Sequence, residues 1–219
     1  MHHRSLRIGS AAVALLACAT LAAAAQGLDD KRKPPKPKPD CLDGVVYDDN
    51  KLESGLRPSD FADPGDFVML MEAPSYPAKL NKACIAWRRT SFWSTLYFNL
   101  RIWAADGPDG APGTLLAEVG PFAAFNVPTK AKFYSYDLSG AGIVIDGPVY
   151  IGPSWNGLRD GWLIYLGMDQ GPRTARRRGF YGAVLTSNQV EPPTHELGIS
   201  LEYAPSYRAF GIRGVFGPP

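Results

Sequence analysis

The chain has 219 residues with 23 basic and 21 acidic side chains, so its formal net charge is only +2. That excess lies at the N-terminus, because residues 41–219 carry 16 basic against 18 acidic side chains. Bulk charge of this kind excludes a nucleic-acid-binding domain that works by general electrostatic attraction.

Residues 1–25 have the three parts of a signal peptide. Arg4 and Arg7 precede an apolar run, which ends in small residues at Ala25. We expect cleavage near Gln26 and export to the periplasm or the extracellular space. The string "LLAC" resembles a lipobox, so a lipid anchor on Cys18 is the alternative. No later apolar run is long enough to cross a bilayer, so no transmembrane span is expected in the mature chain.

Residues 26–40 form a basic linker, and its part from Asp29 to Asp40 alternates Lys and Pro without an apolar residue. Proline favours extended geometry and like charges keep the segment stretched, so the composition predicts a spacer. Attachment to an anionic surface, such as lipid headgroups or a charged wall polymer, is the functional alternative.

Two cysteines, Cys41 and Cys84, remain once the leader is removed. Pairs of cysteines persist in oxidising compartments, so we predict a disulfide between them. It would join the start of the domain to its core.

Residues 41–219 alternate short aromatic and β-branched runs with turns rich in Gly and Pro. The clearest strand has Leu96, Phe98, Leu100 and Ile102 on one face, which is therefore expected to be core. Further strands are predicted at 67–71, 83–87, 115–119, 133–138, 142–145, 149–154, 162–168, 197–203 and 210–216. About ten short strands in one domain predict an all-β fold, a single antiparallel β-sandwich or jelly roll.

Catalytic patterns are incomplete. His195 is the only histidine of the mature chain, and Ile199 stands where a zinc-protease helix needs its second histidine. The spacing around Ser154 does not match a nucleophile elbow. Most acids fall in turns, where Asp bonds backbone amides. We therefore predict no catalytic residue and no cofactor.

Two acidic loops are weak candidates for calcium sites. Asp106 and Asp109 supply only two carboxylates, and "YDDN" at residues 47–50 is a similar candidate. Turns are the expected structure at both loops, and no metal is expected.

The segment 154–167 is the best candidate for ligand binding. Exposed aromatic rings beside amide and charged groups suit sugar recognition, in which a ring stacks on the apolar face of a sugar. The alternative is that its tryptophans are core residues. The predicted site consists of Trp155, Asn156, Arg159, Asp160 and Trp162.

Four strings give the chain a resemblance to uncharacterised secreted bacterial β-sandwich domains: "CIAWRR", "FNLRIWAADGPDGAPGTLL", "FYSYDLSG" and "GPVYIGPSWN". The resemblance spans residues 41–216. It implies a jelly-roll-like sandwich similar to carbohydrate-binding modules, and it implies no catalytic residue.

The expected function is therefore a non-catalytic secreted or envelope-attached β-sandwich that binds a polysaccharide, or else an anionic component of the cell surface. One alternative is a jelly-roll glycoside hydrolase or polysaccharide lyase, which needs two acids or a Tyr, Arg and Lys group in a groove. A structural or protein-interaction domain of the envelope is the third possibility, and it needs an exposed apolar patch or an unpaired edge strand.

Overall fold

The computed structural model describes residues 41–58, 65–92, 95–155, 163–171, 177–183, 190–196 and 207–219. All of them belong to one compact unit, Lys38–Pro219. The predicted signal peptide, the linker and the predicted strand at 197–203 lie outside the described residues.

The fold is all-β, with two antiparallel sheets packed as a sandwich, as predicted. Sheet A is built on the long strand β3, which has β9 and β13 along one edge and β6 and β7 along the other. Two short strands, β1 and β12, pair with β9. The bounds in sheet A are β1 Ser54–Leu56, β3 Ala78–Arg89, β6 Lys132–Asp137, β7 Val144–Ile145, β9 Ile164–Asp169, β12 Ala209–Phe210 and β13 Ile212–Gly217.

Sheet B has the strand order β11-β10-β2-β8-β4-β5. Its bounds are β2 Gly65–Met71, β4 Leu96–Ala104, β5 Leu115–Ala124, β8 Val149–Trp155, β10 Gly179–Ala183 and β11 His195–Glu196. Short 3₁₀ turns occur at Pro108–Gly110 and Ser139–Ala141. The strands β1, β10 and β11 were not predicted from the sequence, and the predicted terminal strand is interrupted at Gly211.

The main core lies between the inner faces of the two sheets. Alternation in β4 places Leu96, Phe98, Leu100 and Ile102 in this core, as predicted. Trp87 of β3 packs edge-to-face on the ring of Phe98, with ring centroids 5.1 Å apart. Aromatic contacts of this geometry add to the stabilisation that comes from apolar burial. Because this contact joins β3 of sheet A to β4 of sheet B, it favours the observed packing of the two sheets.

A second apolar cluster lies on the outer face of sheet B. It consists of Val68, Trp103, Tyr150 and Phe180. The loop that follows β4 covers part of this cluster, and the Tyr150 hydroxyl donates to the Gly110 carbonyl at 2.8 Å. Sheet B is therefore buried on both faces along its central strands.

Residues 41–53, the N-terminal segment, cross the outer face of sheet A. The predicted disulfide between Cys41 and Cys84 is present and ties the start of the segment to β3. Asp48 then forms a buried ion pair with Arg213 of β13. Leu52 lies above Gly211, where an added Cβ would lie 2.6 Å from the Cβ of Ala86 and 3.0 Å from the Leu52 side chain, so a glycine is needed there.

In the described ranges, no helix is long and apolar enough to cross a bilayer.

Candidate functional site: a basic cleft on sheet A

Trp155, the centre of the predicted ligand site, is a core residue. It ends β8 and is only 3% exposed. Its ring packs edge-to-face on Trp87 at 5.2 Å and lies 5.3 Å from the ring of Phe67. The expectation of an exposed Trp155 ring was therefore wrong. β8 lies between β2 and β4 in sheet B, and the side chain of its last residue packs into the main core.

The other members of the predicted site, Asn156, Arg159, Asp160 and Trp162, lie outside the described residues. Their role in ligand binding stays a prediction.

The Asp106 carboxylate holds its own loop together, and Asp109 contributes to the loop through its backbone. The two carboxylate oxygens of Asp106 accept hydrogen bonds from the amide and the hydroxyl of Thr114, each at 2.7 Å. These bonds lower the pKa of Asp106. Asp109 has a left-handed backbone with φ of 54°, and its carbonyl accepts from Arg178. The loop is thus a tight turn, the structure expected from its sequence.

One acidic group does form around the "YDDN" string. Among the described residues, only Asp49, Glu53 and Asp169 bring carboxylate oxygens within 4.8 Å of one another. Each also accepts a backbone amide: Lys51 donates to Asp49, Gln170 to Glu53, and both Asp49 and Gly171 to Asp169. These bonds fasten the N-terminal segment to the end of β9, which is a structural use of all three acids.

A basic cleft with a volume of about 640 Å³ opens between the N-terminal segment and the connection from β5 to β6. That volume is in the range of small-ligand sites. The cleft is lined by Asn50, Leu52, Arg88, Thr129, Lys130, Ala131, Lys132, Phe133 and Arg213.

Strand pairing assembles the cleft. Phe133 of β6 lies opposite Ala86 of β3, two residues before Arg88. Arg213 of β13 lies opposite Cys84 on the other edge of β3. Side chains two positions apart on a strand share a face, so three neighbouring strands present Phe133, Arg88 and Arg213 to the same side of sheet A.

Arg213 is the one cation in this lining that has a charged partner among the described residues. Its Nε donates to Oδ2 of Asp48 at 2.9 Å, and its Nη2 donates to Oδ1 at 2.5 Å. The same guanidinium lies 3.7 Å from the ring centroid of Phe133. The Arg213 guanidinium is therefore held in a fixed position in the cleft lining, and Asp48 neutralises its charge.

Arg88, Lys130 and Lys132 form no ion pair with any acid that the structure describes. Arg88 makes one long contact, from Nη1 to the Glu53 carbonyl at 3.5 Å, and its Nε is buried without a hydrogen-bond partner. Lys132 lies 5.7 Å from the ring centroid of Tyr134. Arg88 and Lys130 are thus uncompensated cations in the lining that contains Phe133, whereas the Lys132 ammonium is engaged with the Tyr134 ring.

Sequence reasoning did not identify this site, although parts of its signal were present. Arg88 directly follows the predicted strand at 83–87, and Lys130 and Lys132 come shortly before the predicted strand at 133–138. Only the pairing of β3 with β6 brings these cations together. No known protein family, curated protein or solved structure matches the chain, so the site is interpreted from its own chemistry.

Proposed function

We propose that this protein is an exported, non-catalytic β-sandwich that binds an acidic polysaccharide of a cell surface or wall through the basic cleft. The observation that carries the proposal is the placement of Arg88 and Lys130 in one cleft without acidic partners among the described residues, with Lys132 beside them in the lining. Arg88 makes one long hydrogen bond, from Nη1 to the Glu53 carbonyl at 3.5 Å, so its guanidinium keeps donors for a ligand oxygen.

The positive charge is local. Residues 41–219 carry a small excess of acidic side chains. Attraction of an anion therefore depends on the local charge of the cleft and not on the net charge of the domain. A planar guanidinium can hold a carboxylate or sulfate through two parallel hydrogen bonds, and lysines add flexible point charges around it. This combination suits repeated anionic groups on a polymer.

The lining of the cleft supports binding without catalysis. Its nine residues include no carboxylate, histidine or tyrosine. Glycoside hydrolysis needs a pair of carboxyl groups, which this lining does not supply. The Tyr, Arg and Lys group required by the lyase alternative lacks its tyrosine in this lining. His195 is on β11 of sheet B and stacks on Tyr181, with ring centroids 5.2 Å apart. Neither alternative is therefore proposed for this cleft.

Export is part of the same proposal. The disulfide between Cys41 and Cys84 supports an oxidising compartment, in agreement with the signal peptide predicted for residues 1–25.

The test is binding of the exported full chain to polygalacturonate, measured by calorimetry, with uncharged dextran as the reference polymer. The double variant Lys130→Glu, Lys132→Glu should bind polygalacturonate at least about tenfold more weakly, a loss of about 1.4 kcal/mol. Binding by the unaltered protein should also weaken as salt is raised, because salt screens exposed charges.

The matched control is Lys79→Glu, Lys82→Glu, which makes the same change of net charge on β3 outside the cleft lining. It should leave the affinity nearly unchanged. Equal losses in both double variants would mean general charge attraction and would overturn the assignment to the cleft. Equal binding of dextran and polygalacturonate would overturn the proposed ligand.

A further inference from the structure

The connection from β5 to β6, residues 125–131, borders the basic cleft at one end and an exposed aromatic pair at the other. Phe125 opens the connection and is 57% exposed, while Tyr97 of β4 is 52% exposed. Their rings meet edge-to-face, with centroids 6.4 Å apart and an interplanar angle of 88°. Large aromatic side chains are usually buried, so two exposed aromatic rings in contact with each other indicate a binding surface.

The backbone that carries Phe125 is held in place. The Tyr134 hydroxyl lies 3.2 Å from the carbonyl oxygens of Phe125 and of Asn126, close enough to donate to either. Asn126 has a left-handed φ of 53°, which turns the chain sharply after Phe125. A ring presented on an anchored turn loses little freedom on binding, so it can contribute to affinity.

The register of sheet B accounts for the exposure of Tyr97. It lies opposite Ala123 of β5, and its neighbours in β4, Leu96 and Phe98, point into the core. Alternation therefore sends the Tyr97 ring outward, beside a residue too small to cover it. Phe125 packs against one edge of this ring, and more than half of each side chain remains open to solvent.

We infer that Tyr97 and Phe125 form a sugar-stacking subsite, and that one acidic polysaccharide chain passes from this subsite on the outer side of sheet B, around the edge formed by β5 and β6, to the basic cleft on sheet A. This inference rests on the proposed function and names the second contact that the ligand makes. Five residues separate Phe125 from Lys130 along the chain, a distance of at most about 18 Å even when fully extended. An oligosaccharide of several units can span it, whereas a very short one cannot.

The chemistry of the two surfaces is complementary to that of an acidic sugar chain. The apolar face of a sugar ring packs on an aromatic ring, while carboxylates on neighbouring units reach the cations of the cleft.

The test compares a trimer and an octamer of galacturonic acid, with affinities measured by calorimetry on the exported full chain. In the double variant Tyr97→Ala, Phe125→Ala, the octamer should bind about tenfold more weakly, from the loss of two aromatic contacts. The trimer, which reaches only the cleft, should keep its affinity. The conservative variant Tyr97→Phe, Phe125→Tyr should restore octamer binding.

Leu116→Ala is the matched control, since Leu116 is also exposed on β5 but lies near the opposite end of that strand. It should change neither affinity. Thermal unfolding of each variant checks that the fold is intact. Octamer binding that survives in the Tyr97→Ala, Phe125→Ala variant would overturn the subsite while leaving the cleft standing.

Failure of the proposed function has a different signature, because then neither oligomer binds the unaltered protein. Vesicles containing phosphatidylglycerol are tested in parallel. If they sediment the unaltered protein and fail to sediment the Tyr97→Ala, Phe125→Ala variant, the pair is a membrane contact and the inference is wrong.

Discussion

The buried ion pair between Asp48 and Arg213 makes a sharp prediction about stability. Both side chains are almost fully buried, at 0% and 1% exposure. Replacing Asp48 by Asn removes the negative charge while keeping the size of the side chain. Arg213 then keeps neutral partners only: the introduced amide oxygen, the Oδ1 of Asn50 at 3.0 Å, and the face of Phe133.

Removing one partner of a buried pair costs about 3 to 5 kcal/mol, because the remaining charge has no compensation. Since Asn50 and Phe133 still contact the guanidinium, we expect about 3 kcal/mol for Asp48→Asn. With a urea dependence of about 2 kcal/mol per molar, the unfolding midpoint should fall by about 1.5 M. Equilibrium unfolding in urea, followed by tryptophan fluorescence with the disulfide intact, measures the shift.

The control is Asp43→Asn, an exposed acid of the same N-terminal segment, which should change the free energy of unfolding by less than about 0.5 kcal/mol. The double variant Asp48→Leu, Arg213→Met replaces the pair by apolar groups and should regain most of the lost stability. A loss below about 1 kcal/mol in Asp48→Asn would refute the reasoning, since it would mean that water reaches the pair.

Two further predictions concern the disulfide and the Asp106 loop. Cys41→Ala with Cys84→Ala should lower the free energy of unfolding by about 4 kcal/mol in the chain-entropy model, because the bridge spans 43 residues; a urea midpoint close to that of the unaltered protein would contradict it. The hydrogen bonds from Thr114 lower the pKa of Asp106 in the folded state. They therefore stabilise the fold fully above the unfolded-state pKa of about 3.9. This stabilisation is lost as the pH falls through the folded-state pKa. The difference in melting temperature between the unaltered protein and Asp106→Ala should therefore disappear in acid; a difference that persists unchanged would exclude this contribution.

The fold was largely predictable because alternation is a local signal. The inner face of β4 follows from every second residue being apolar, and pairing of the two cysteines follows from the predicted export. The outer face of the same strand was not predictable. Arg101 and Trp103 occupy the polar side of the alternation, and both are buried.

Each of these two residues is buried by a distant part of the chain. Arg101 pairs with Asp66 of β2, with Nη1 and Oδ2 2.9 Å apart. Trp103 belongs to the outer cluster with Phe180 of β10. Contacts between strands that are far apart in sequence determine whether such side chains are buried. The sequence of a single strand does not indicate these contacts.

The binding site was harder to predict for the same reason. An aromatic residue followed by polar residues suggested an exposed ring at Trp155, yet its position at the end of a central strand determines its burial. The cations of the cleft lie on β3 and in the chain just before and at the start of β6. Only the pairing of β3 with β6 makes them neighbours. Tyr97 had a readable signal, because it alternates with Leu96 and Phe98 and must point away from the core.

The disulfide also decides how the domain responds to a mechanical load. A pull on the chain that precedes Cys41 passes through the sulfur–sulfur bond directly into β3, the strand that holds sheet A together. The N-terminal segment lies beyond that bond in sequence, so it carries none of the load and is not peeled from the sheet. The wall of the cleft formed by Asn50 and Leu52 therefore keeps its shape when the domain is held under tension from its N-terminal side.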